Sequence, residues 1–198
     1  MKAKDFITPE RLAKITAAVK ARQFSLRVVL ENIHDPHNVS AIFRTCDAVG
    51  VPKVTLLYNI EQFPKISKTS SASSVKWVEK EKCDNVEECF NNLRAQGFKI
   101  IATALNEKAK NLYDLDLTQK VAIVMGNEHR GVSDEVLQYA DEIMYIPMRG
   151  MIQSLNVSVA TAVILYEAQR QRAEKGMYDK SELSDDELEK IIDEWAEK

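Results

Sequence analysis

Apolar positions along this chain follow two rhythms. Short runs with little polar interruption occupy residues 26–31 (LRVVLE), 53–58, 98–104 (FKIIATA), 120–125 (KVAIVM) and 142–146 (EIMYI). Such runs lack strict in-out alternation, as strands covered on both faces should. Between them apolar residues recur every three or four positions, at Ala41, Ile42, Thr45 and Val49 and again at Val86, Cys89, Phe90 and Leu93. That spacing gives a helix one buried face. Thr8-Pro9, Ser133 and Ser184 read as helix starts, and Gly50 and Gly97 as stops. A long helix is expected from about Leu155 to Arg172, a terminal one over 184–196, and a strand on VKWVEK at 75–80. Strand alternates with helix throughout. The expectation is an α/β fold with a mainly parallel sheet and helices on both faces, its functional loops at the strand ends.

Composition narrows the class. The chain has 198 residues, 45% of them hydrophobic, which fits one domain with small terminal additions. We expect a helical extension over 1–24, the main domain over 25–173 and an acidic helical extension over 174–198. The opening MKAKDFITPERLAKI has no apolar core of a signal peptide, and no long apolar run occurs. With three cysteines, Cys46, Cys83 and Cys89, and no CxxC pair, a reducing, cytoplasmic setting without a disulfide framework is expected.

The net charge of −3 conceals an asymmetry. Residues 1–27 carry seven Lys/Arg against two acids, whereas 174–198 carry four Lys against ten acids. The basic arm could meet phosphates while the acidic tail points elsewhere. Lys65, Lys68 and Lys76 in the polar stretch 65–77 could also face a nucleic acid, or be ordinary surface lysines.

Three polar clusters fall after strands. One holds Asn32, His34, Asp35, His37, Asn38 and Arg44; the second is MGNEHRG at 125–131; the third places Ser154 and Asn156 at the entry of the long helix. Duller roles suit the same residues. Asn38, Ser154 and Asn156 could merely cap helices, and Arg44 could pair with a core-edge carboxylate. His34 and His37 lack a third metal ligand nearby, so no metal is expected. There is no GxGxxG, P-loop, HExxH or GxSxG.

NIHDPHNVSAIFRTCDAVG (32–50), VAIVMGNEHRGVSDEVL (121–137) and IPMRGMIQSLNVSVATAVILYEAQRQR (146–172) together resemble the three signature motifs of the SPOUT superfamily, in its SpoU branch of RNA ribose 2'-O-methyltransferases. Many relatives have Gly where this chain has Ser40. The termini resemble the extensions of the branch acting on guanosine 18 of the tRNA D-loop.

The resemblance implies a SPOUT fold with a deep C-terminal trefoil knot, S-adenosylmethionine as methyl donor, tRNA as substrate and a homodimer whose sites draw residues from both subunits. It assigns catalysis to Arg44, Asn38, Glu128, Ser154 and Asn156, and donor binding to Met125, Gly126, Asn127, Ile146, Met148, Ser154, Leu155 and Asn156. Arg44 would act as a base or as a charged group stabilising a developing alkoxide. Competing readings are methylation of ribosomal RNA or the tRNA wobble nucleotide, a non-catalytic RNA-binding protein on the same fold, and an unrelated nucleotide-binding α/β protein.

Overall fold

A computed structural model describes residues 2–64 and 74–198. The strands are β1 (Leu26–Glu31), β2 (Lys53–Leu57), β3 (Glu79–Cys83), β4 (Lys99–Thr103), β5 (Lys110–Asn111), β6 (Val121–Met125) and β7 (Glu142–Tyr145). All pair in parallel, in the order β3-β2-β1-β6-β4-β7-β5. The chain steps outward from β1 to β2 and β3, then crosses to the other side. The last central strand, β6, is inserted between β1 and β4. Order reverses at the β1–β6 pair, the place where parallel sheets open a crevice at their C-terminal ends.

The helices are α1 (Pro9–Lys20), α2 (Pro36–Val49), α3 (Val86–Ala95), α4 (Asp134–Tyr139), α5 (Val157–Glu174) and α6 (Asp185–Ala196). Each side of the sheet has its own core. Val28 and Leu30 of β1 and Val121, Ile123 and Met125 of β6 join Ile42, Phe43 and Cys46 of α2 and Ile164, Leu165 and Ala168 of α5. The intervening Val29, Ala122 and Val124 face Phe90 and Leu93 of α3 and Val136 of α4. This two-sided burial explains the unbroken apolar runs, since neighbouring strand residues point to opposite faces. Each fully buried Phe or Leu side chain contributes about 1.5–3 kcal/mol.

The sequence reading of the strands needs correcting in two places. The strand expected on VKWVEK starts later: Ser74–Lys76 form a 3-10 turn, and β3 takes in only its last two residues, Glu79 and Lys80, before running on to Cys83. β3 is an edge strand whose side chains are mostly solvent-facing, so it carries no apolar signature. The connection after β4 also contains β5, a two-residue edge strand with no pattern to read.

The acidic tail does not point away from the basic arm. α6 packs on α1, with Ile192 and Trp195 against Ile15 and Val19. Lys2 and Lys4 both pair with Glu189, at 2.9 and 2.8 Å. Together they hold that carboxyl down at about 2, through hydrogen bonds first and charge second. Buried Arg22 pairs with Asp47 and stacks 4.9 Å over Trp195, and Arg27 pairs with Glu81 at 2.8 Å. Arg11, Lys14 and Lys20 remain on the exposed face of α1. Lys76 is exposed, while Lys65 and Lys68 lie outside the described residues.

Candidate active site

β1 ends at Glu31, and the chain turns at Asn32, whose φ of 50° is left-handed. Asparagine tolerates this conformation better than other side-chain-bearing residues do. The Asn32 carbonyl oxygen Oδ1 accepts from the backbone N–H groups of Ile60 and Glu61, fixing the loop after β2 beside the loop after β1. Asp35 caps α2 by accepting from the His37 N–H at 2.8 Å. The side chain of Asn38, buried in the first turn of α2, is thereby left available for other bonds.

The loop after β6 folds back on itself. Asn127 and Gly131 exchange backbone hydrogen bonds, each 2.9 Å long. A Cβ on Gly126 would lie 2.2 Å from the backbones of Gly131 and Val132, so only glycine fits. This fold-back brings Glu128 to the first loop. One Glu128 oxygen accepts from the His34 N–H at 3.0 Å, and the other from the Asp35 N–H at 3.1 Å and Asn38 Nδ2 at 3.0 Å. Burial works against this charge. The Asn38 amide and the backbone donors outweigh it and hold the carboxyl below its ordinary range.

The third segment completes the chain of bonds. Asn156 caps α5 by accepting from the Ser158 N–H at 2.9 Å, and its own amide donates to Asn38 Oδ1 at 3.1 Å. Three segments distant in sequence are thus joined as Glu128–Asn38–Asn156.

Beside this chain lies a cavity of about 860 Å³ at the C-terminal ends of β4, β6 and β7. Every residue expected to bind the donor lines it: Met125, Gly126, Asn127, Ile146, Met148, Ser154, Leu155 and Asn156. Glu128 lines it as well. Met125, Met144, Ile146, Val157 and Ile164 give apolar wall, while Asn127, Ser154 and Asn156 give polar groups. Sequence reasoning missed Thr103, Ala104 and Leu105, although the strand run at 98–104 ends on this same edge.

Two candidates do not line the cavity. Asn38 stands behind it, bonded to two residues that do. Arg44 is exposed on α2, and among the described residues it has no hydrogen bond or ion pair. The duller roles are thereby sorted. Asp35 rather than Asn38 caps α2, and among the described residues Arg44 serves no core-edge carboxylate. Asn156 does cap α5 and has the second bond besides. Ser154 lines the cavity without being that cap. Among the described residues, no cluster of three or more potential metal ligands occurs.

Residues 25–166 match the family model described as the SpoU rRNA Methylase family. The tRNA (guanosine(18)-2'-O)-methyltransferase of Thermus thermophilus is 44% identical over 191 residues, covering 96% of this chain and 98% of that enzyme. The crystal structure of the A. aeolicus TrmH/SpoU tRNA modifying enzyme superposes with a TM-score of 0.88, at 45% identity and 95% coverage of both chains. An AdoMet-bound rRNA methyltransferase from Sinorhizobium meliloti superposes at 0.67, with 28% identity over 78% of this chain and 59% of that one. Matching motifs, a matching backbone and a family model covering most of the sequence agree: the chain belongs to the SpoU methylase family.

Proposed function

We propose that this protein transfers a methyl group from S-adenosylmethionine to the ribose 2'-hydroxyl of guanosine 18 in tRNA. The observation that carries the reading is the Glu128–Asn38–Asn156 chain beside a cavity lined by all the expected donor-binding residues. The similarity to guanosine-18 enzymes over nearly the whole chain supports this RNA over ribosomal RNA or a wobble nucleotide.

The cavity fits the donor's chemistry. Its apolar wall suits a flat purine, its Asn and Ser groups suit a ribose and an amino acid, and the nearby Glu128 carboxylate suits a cation. Bound there, the donor's sulfonium supplies an electrophilic methyl group. The chain's own residues supply placement. Gly126 lets the second loop approach closely, and Asn156 presents a side chain fixed at both its oxygen and its nitrogen. Asn38 keeps its orientation because its amide faces a carboxylate and its carbonyl faces an amide. The hydroxyl must approach in line with the methyl group, and such placement accounts for much of an enzyme's rate gain. Arg44 either takes the hydroxyl proton as base, or stays charged beside the ribose oxygen and its neighbouring phosphate while the proton leaves to solvent.

Arg44 stands outside the cavity of its own chain, so this reading requires a partner copy to deliver it. In support, Met151 is fully exposed, and Ile152, Val159 and Tyr166 on and before α5 are exposed apolar residues of the kind a homodimer covers. The reading also includes a deep trefoil knot formed after β6; support comes from the insertion of β6 between β1 and β4 and the return of α5 onto α2. A cytoplasmic location suits a tRNA substrate. Among the described residues, no helix is long and apolar enough to cross a membrane.

The test is mass-spectrometric mapping of ribose methylation in unmodified tRNA incubated with protein and isotopically labelled donor. One label on guanosine 18 is expected. Label at another position rejects the substrate, and no label together with no donor binding by calorimetry rejects the enzyme.

A further inference from the structure

Glu61 lies in the loop after β2, outside all three motif segments. Its side chain is 21% exposed. One oxygen accepts from Arg130 Nη2 at 2.6 Å and more weakly from Asn127 Nδ2 at 3.4 Å, and the other accepts from His34 Nδ1 at 3.0 Å. The Glu61 backbone is itself held, since its N–H donates to Asn32 Oδ1 at 3.1 Å. Tyr58 and Phe63 anchor the same loop on both sides. The Tyr58 hydroxyl donates to the Ile33 carbonyl at 2.9 Å, and the two rings meet edge to face at 5.2 Å.

Glu61 and Glu128 therefore make crossed ties between the same two loops. Glu128 leaves the second loop and grips residues 34, 35 and 38. Glu61 grips residue 34 of the first loop and residues 127 and 130, which flank Glu128. We propose that Glu61 is a positioning residue for methyl transfer, bracing the 126–131 loop so that the Glu128 carboxylate stays in register with Asn38. The inference rests on the methyltransferase reading above.

Arg130 is more than half exposed, and ion pairs with exposed partners add little stability. The brace acts through geometry. A loop displaced by a fraction of an ångström still folds, but it misplaces the groups that align the reaction.

The test compares Glu61→Gln, Arg130→Gln, the double variant and Glu61→Asp with wild type on unmodified tRNA. Expected is a fall in kcat of about tenfold for each single Gln variant, no further fall in the double, partial rescue by Asp and an unchanged KM for tRNA. Additive losses, a wild-type kcat for Glu61→Gln, or an effect confined to the KM for tRNA would overturn the proposal; the last would make Arg130 a direct RNA contact.

A second measurement needs no turnover. Hydrogen exchange of the His34 and Asp35 amides, both bonded to Glu128, should quicken in both single variants. Unchanged protection overturns the brace. A wild-type protein that methylates nothing overturns the reading on which positioning rests, and the exchange result separates that failure from failure of the brace itself.

Discussion

The side-chain amide of Asn156 and the side-chain carbonyl of Asn38 meet at 3.1 Å across 118 positions of sequence. Asn38 is thereby held at both ends, because its amide also donates to Glu128. Asn38→Asp exchanges that donor for an acceptor facing a carboxylate. We expect methyl transfer to be lost and stability to fall by about 1–3 kcal/mol. Urea unfolding and single-turnover methylation measure both. Wild-type turnover in Asn38→Asp would show that the bond chain is incidental.

Arg44 offers the opposite profile. It has no described partner and sits in solvent, so Arg44→Ala should change stability by no more than about 0.5 kcal/mol. Donor binding should survive while turnover vanishes. If a second copy delivers Arg44, mixing Arg44→Ala with Asn156→Ala subunits should restore one intact site per mixed dimer. Mixtures no more active than the separate variants would place both residues in one chain's site.

Gly126→Ala puts a methyl group into backbone that cannot yield. The clash with Gly131 and Val132 should cost about 1–3 kcal/mol or more and displace the second loop. Isothermal titration with S-adenosylmethionine should show a large loss of affinity. Normal binding would mean that the fold-back of this loop does not shape the cavity.

Glu128 predicts a pH dependence whose sign is fixed by its lowered pKa. A carboxylate held below its unfolded value stabilises the fold at neutral pH, and that contribution drains away as pH falls through the folded value. Glu128→Gln should therefore be less stable than wild type near neutrality, with the gap closing as pH falls below the ordinary glutamate range and through the lowered folded value. Thermal melts across that range would show it. A gap that stays constant with pH would mean that the charge contributes nothing.

The buried half of this fold could be read from the sequence because burial leaves a periodic record. β1 and β6 read cleanly since both their faces are covered. β3 and β5 did not, because edge strands are set by backbone pairing and their side chains answer to solvent. The loops that line the cavity were legible through their resemblance to a family. Glu61 was not, since a single acid in a loop gives no periodicity and its partners lie far away in sequence. The charge of the N-terminal segment misled for a related reason. Counting residues gave its sign, but not that Lys2, Lys4, Arg22 and Arg27 find acids within the same molecule.

The packing of α1 on α6 has a consequence for how the molecule is made. During synthesis α1 emerges long before the helix that covers Ile15 and Val19, so its sticky stripe must wait uncovered while the whole sheet assembles. Shaving off α6 would make that waiting state permanent. Such a shortened protein should clump, even though the cavity beside Glu128 and Asn156 lies elsewhere and no residue of α6 lines it.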